Sequence, residues 1–137
     1  MTDREATEAI QNLMPLAATL AIRAETYRAD EVVLSMDWAM SLCTANGILH
    51  GGAIMALADS AGGTCAMLNL PTDASGTSTI ESKTNFLGAV RSGAVTATST
   101  PLHRGSTTIV VETAVRDSGG KLVAKVTQTQ LVLRART

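Results

Sequence analysis

Aromatic residues are nearly absent from this 137-residue chain, which holds one tyrosine, one tryptophan and one phenylalanine (Tyr27, Trp38 and Phe86). The core must therefore be built from Ala, Val, Leu, Ile and Met, and 45% hydrophobic residues are enough to form one without staples. Cysteine is scarce too: Cys43 and Cys65 stand alone with no Cys-x-x-Cys spacing. That excludes a disulfide framework and a structural zinc site and fits a reducing compartment. Neither charge sign dominates, the net being −1. No nucleic-acid footprint and no polybasic membrane patch is expected. The charged start, Met1-Thr2-Asp3-Arg4-Glu5, leads into no apolar segment with a cleavage site, so a cytoplasmic chain is expected. The longest apolar region, Ile48 to Leu70, carries His50 and Asp59 and many small polar residues, which fits a buried helix better than a membrane span.

What is present has a clear order. Residues Asp3 to Met14 read as an amphipathic helix, with Asp3 as its cap and Pro15 as its stop. From Ala18 to Arg28 the pattern alternates, with Leu20, Ile22 and Ala24 on one face, and a second alternating run covers Val32 to Trp38. An irregular stretch leads to His50–Leu68, which has helical length and no polar face. Four strands are then expected over Thr77–Leu87, Gly93–His103, Thr107–Asp117 and Lys121–Arg134, the last two joined at Ser118-Gly119-Gly120. One all-apolar helix with six hairpin-linked strands excludes a doubly wound parallel sheet. It implies an α+β fold, a curved antiparallel sheet wrapped around one long buried helix. Residues 1–15 form a lead-in and 16–137 one domain.

Two features of the helix carry chemistry. Gly51 and Gly52 open it, where backbone N–H groups lack partners and the dipole favours negative charge, so a carbonyl could approach closely. The same glycines would also suit tight packing of helix on sheet. Asp59 lies in the helix interior among Leu57, Ala58 and Ala61. Aspartate is a poor helix former and costly to bury charged, so it is a catalytic carboxylate, one tied to backbone groups, or one facing solvent through a gap in the sheet.

The run Asn46-Gly-Ile-Leu-His50-Gly51-Gly52, with Asp59 nine residues after the histidine, resembles the signature of hotdog-fold thioesterases. Within them it is similar to the phenylacetyl-CoA thioesterase-like (PaaI) branch. The likeness continues through Thr79–Leu87, through the turn His103-Arg104-Gly105-Ser106-Thr107, and through Asp117–Ala124, covering roughly residues 16 to 133. It implies hydrolysis of an acyl-CoA thioester in a homodimer or dimer of dimers (a homotetramer), without cofactor or metal, CoA being part of the substrate. It implies Asp59 as base or nucleophile and the Gly51 amide as oxyanion donor. His50 would orient the loop, and Thr79 would hold the attacking water. Phe86 would line the acyl or pantetheine channel, and the His103, Arg104, Gly105, Ser106 turn would face CoA. Relatives often carry Asn six residues before the histidine; here that residue is Thr44, with Asn46 two positions later, so either Asn46 reaches over through a shifted loop or the thioester is positioned differently. Lys83 and Arg91 are weaker candidates for the CoA phosphates. The competing expectations are a hotdog hydratase or dehydratase and a non-catalytic acyl-CoA binding protein. The first would pair a histidine with an acid, whereas the other histidine, His103, falls in an expected surface turn. The intact acid after His50-Gly51-Gly52 argues against the second.

Overall fold

The computed structural model describes residues 1–136. Helix α1 (Arg4–Leu13) starts where Asp3 Oδ1 accepts the Ala6 N–H at 3.0 Å, and it buries Ala6 and Ile10. Pro15 does not simply stop that helix. It opens a second short one, α2 (Pro15–Thr19), because proline fits the first turn, where its missing N–H has no helical partner. The strand expected from Ala18 therefore begins only at Arg23, after Ala21 turns the chain at φ 53°.

Six antiparallel strands follow: β1 (Arg23–Tyr27), β2 (Val32–Asp37), β3 (Gly76–Phe86), β4 (Ala94–Arg104), β5 (Thr108–Arg116) and β6 (Leu122–Leu133). They form one sheet in the order β1-β2-β4-β5-β6-β3. Its concave face packs on α3 (Gly51–Met67), about 25 Å long at 1.5 Å per residue. This is the curved sheet around a central helix expected from the sequence. The core is aliphatic, with Ile22, Leu34, Leu57, Ile109 and Val111 at 0% exposure. No helix among the described residues is long and apolar enough to cross a membrane.

The enclosure is incomplete, which corrects the expectation of a helix apolar and covered on nearly all sides. Between β3 on one side and the segment from Leu13 to Leu20 on the other, α3 presents a stripe to solvent: Gly52, Met55 and Asp59 are exposed, and Gly63 and Met67 partly so. The intervals of three and four residues put these side chains on one line of the helix.

A bulge in β3 sets what faces that helix. Thr79 pairs with Gln130 and Glu81 with Thr129, leaving Ile80 as an extra residue. In a regular strand Thr79 and Phe86, seven residues apart, would point to opposite faces. The extra residue reverses the alternation, so both turn toward α3.

Candidate active site

Gly51 and His50 are placed by the loop before α3. The Leu49 N–H donates to Val90 O at 2.8 Å and the His50 N–H to Leu42 O at 2.9 Å, fixing the entry of the helix. His50 then caps it: its Nδ1 accepts the Gly52 N–H at 2.7 Å. An accepting Nδ1 puts the proton of a neutral ring on Nε2. Gly52 is needed there because a Cβ would lie 2.9 Å from that Nδ1. The Ala53 and Ile54 N–H groups both donate to His50 O. Among the described residues this leaves Gly51 as the N–H of the first turn with no acceptor. The Phe86 ring lies against it, its Cζ 3.1 Å from where a Gly51 Cβ would be, with the ring half exposed. Phe86 is thus not plain core.

Asp59 lies eight residues further on, about 12 Å along the axis and rotated by about 80°. Its apolar sequence neighbours point elsewhere; the carboxylate itself faces solvent in the single chain. It is held by an unexpected network. Gln128 Nε2 donates to Asp59 Oδ1 at 2.6 Å and lies 3.2 Å from Thr79 Oγ1. Gln130 Nε2 donates to the same Thr79 Oγ1 at 2.6 Å, while Thr77 Oγ1 donates to Gln130 Oε1 at 3.0 Å. With both lone pairs of Thr79 engaged by amide donors, its hydroxyl can act only as a donor. A cavity of about 210 Å³ opens beside Asp59, with Thr77, Thr79 and Gln130 on one wall and Leu13, Met14 and Met67 on another. A second, of about 350 Å³, lies by His50 and Gly52 against Leu16, Leu20 and Leu42.

Gln128, Gln130 and Thr77 were not among the residues singled out from the sequence. The signal existed: in β6 every second residue from Val126 to Val132 faces the core, and two of those four are glutamines. A polar residue on the buried side of a period-two pattern is the informative exception.

The remaining candidates do not converge on this site within one chain. The turn carrying His103, Arg104, Gly105 and Ser106 sits at the far end of α3. There Asn69 Nδ2 donates to Ala29 O, and Arg134 Nη1 donates to Ser106 O at 2.7 Å. His103, Arg104 and Ser106 are exposed. Gly105 is forced by space, since a Cβ would come within 2.8 Å of Thr108 O. Thr44 and Asn46 are exposed on the loop before α3, and Asn46 has φ 64°, a left-handed position that asparagine tolerates well. Its identity is accounted for by the turn. Lys83 and Arg91 are exposed. Burial pushes the Cys65 thiol up to about 11, which makes it a poor nucleophile, and the half-buried Cys43 Sγ–H donates to Ala39 O at 3.4 Å.

Comparison with known proteins bears on the family and the fold. Residues 46–124 match the model of the thioesterase superfamily. A mutant thioesterase from Pseudomonas aeruginosa has a solved structure 30% identical to this chain, covering 97% of this chain and 95% of that one, with a TM-score of 0.88. A thioesterase from Haemophilus influenzae is 27% identical at a TM-score of 0.86, covering 93% of this chain and 90% of its own. Among curated sequences, a proposed esterase of Saccharolobus solfataricus is 41% identical over 90 residues, 66% of this chain. The match spans 63% of that protein, and a match to a Vibrio cholerae relative spans 59% of its length.

Proposed function

Because this chain belongs to the thioesterase superfamily, we propose that it hydrolyses an acyl- or aryl-CoA thioester to the free acid and CoA, with Asp59 as general base. The observation that carries this reading is that Asp59 Oδ1 and Thr79 Oγ1 share one neighbour, Gln128 Nε2, at 2.6 and 3.2 Å. A water accepting from the Thr79 hydroxyl and donating to the free oxygen of Asp59 would be held with a lone pair available for attack. The water oxygen adds to the thioester carbonyl carbon as its proton passes to Asp59. The resulting oxyanion takes the free Gly51 N–H at the positive end of α3. The C–S bond then breaks, and the CoA sulfur leaves with the proton from Asp59.

One thioester cannot touch both ends of this arrangement in a single chain, since Gly51 and Asp59 are about two turns apart on the same helix. The exposed surfaces support a two-fold solution. β3 is an unpaired edge strand of eleven residues carrying Ile80 at 60% and Phe86 at 50% exposure, and it borders the open stripe of α3. Long exposed apolar edges are normally covered. Two chains joined antiparallel along β3, helix to helix, would bring Gly51 of one subunit toward Asp59 of the other. The same rotation carries the Arg104 turn of one subunit toward the α3 start of its partner, where CoA phosphates would lie. A cytoplasmic setting fits the two unpaired thiols.

A free-thiol release assay across acetyl, medium-chain, long-chain and aryl CoA esters tests the reaction. Thiol release supports hydrolysis. A change in enoyl absorbance without thiol would show a hydratase, and binding without either would show a carrier.

Arg104 gives a separate prediction. Arg104→Ala should raise KM for CoA esters several-fold with kcat nearly unchanged, while N-acetylcysteamine thioesters, which lack the phosphates, should not respond. An equal effect on both substrate types would remove Arg104 from the CoA site.

A further inference from the structure

The sequence accepts two locally unfavourable features at one contact, and that contact holds Asp59. Gln128 is completely buried, at 0% exposure, and its Oε1 has no hydrogen-bond partner among the described residues. A buried acceptor without a partner destabilises a fold, so an apolar residue of similar size would pack better. Against it lies Gly62, in the interior of α3, where glycine is a poor helix former. A Cβ on Gly62 would overlap Gln128 Oε1. The glycine is what admits the amide. With Oε1 turned to Gly62, Nε2 faces Asp59 Oδ1 at 2.6 Å and Thr79 Oγ1 at 3.2 Å. The reverse amide orientation would set oxygen against carboxylate, so the donor assignment follows from charge.

We infer that Gln128, backed by Gly62, is a positioning residue for this hydrolase: it engages one oxygen of Asp59 and leaves the other for the water. This rests on the function proposed above. A solvent-facing aspartate on a helix otherwise samples several rotamers. One buried, immobile donor selects among them and orders Thr79 through the same nitrogen. Local rules broken together at a site, without gain in packing, mark a functional constraint.

The test is a double-mutant cycle in kcat. Gln128→Met, close in size and apolar, should lower kcat by about 10- to 100-fold, the scale of a small misplacement of a reacting group, with KM within about two-fold and the thermal midpoint unchanged or higher. In an Asp59→Ala background the same substitution should change the residual rate by less than about two-fold, because its effect runs through Asp59. Gly62→Ala reaches the same amide from behind while favouring the helix, and should show the same pattern if Gln128→Met folds poorly. A wild-type kcat in Gln128→Met overturns the inference. So does an equal loss in both backgrounds, which would mark a merely structural role. Turnover that depends on Asp59 but not on Gln128 sinks this inference alone. A wild-type chain that releases no thiol sinks the hydrolase reading and this one with it.

Discussion

Asp59→Asn is expected to lower kcat by about 10²- to 10⁴-fold, the usual worth of a general base, while the protein keeps its circular dichroism and thermal midpoint. The fold should tolerate the change because Asp59 faces solvent in the single chain and its buried partner Gln128 keeps an acceptor. Asparagine preserves the shape and can still accept the Gln128 N–H through its oxygen. What then points at the water is an NH2 group, which donates and cannot take a proton. KM should move little, since the lost interaction belongs to the transition state. Single turnover in ¹⁸O-labelled water tests for one nucleophilic route. A base puts the label directly into the product acid. A nucleophile whose mixed anhydride is opened by water at the Asp59 carbonyl would deliver an unlabelled oxygen from Asp59 in the first turnover and retain the label in the side chain. Near wild-type turnover in Asp59→Asn would remove this residue from the chemistry altogether.

Much of this architecture was legible because its signals are local. Alternation marked the strands after Pro71, the length of a mostly apolar run without a polar face marked α3, and Ser118-Gly119-Gly120 marked a hairpin in which Asp117 Oδ1 accepts from both Gly119 and Lys121. Other features depended on geometry that linear order conceals. Leu57, Ala58 and Ala61 surround Asp59 in sequence, yet at about 100° per residue they point to other sides of the helix, leaving the carboxylate on the open stripe. The alternation of Leu20, Ile22 and Ala24 looked like a strand from Ala18, but Pro15 had already committed the chain to α2. The β3 bulge inverted the facing of Phe86 relative to Thr79, which no count of two could foresee. Gln128 and Gln130 lie some seventy residues beyond the acid they support, so only a strict reading of polar residues at inward positions of β6 could have found them. The Arg104 turn lies apart from Asp59 and Gly51 within one chain, so its proposed role toward CoA depends on a proposed second subunit.

The proposed second subunit makes a direct test possible. If Gly51 of one chain and Asp59 of another act on the same thioester, two inactive variants should rescue each other. Gly51→Val disrupts the oxyanion turn, because even the first side-chain carbon would sit 3.1 Å from the Phe86 ring. Asp59→Ala removes the base. A mixed dimer would contain one site with both defects and one with none. With random reassembly half the dimers are mixed, so thiol release should recover to about one quarter of the wild-type rate at equal total protein. In a site confined to one chain, every site in the mixture would carry one defect and nothing would return. The decisive measurement is thiol release by the co-refolded pair, with mixed dimers confirmed by native mass spectrometry. About one quarter of wild-type activity is the predicted result, and mixed dimers of folded subunits with no recovered activity would contradict the shared site.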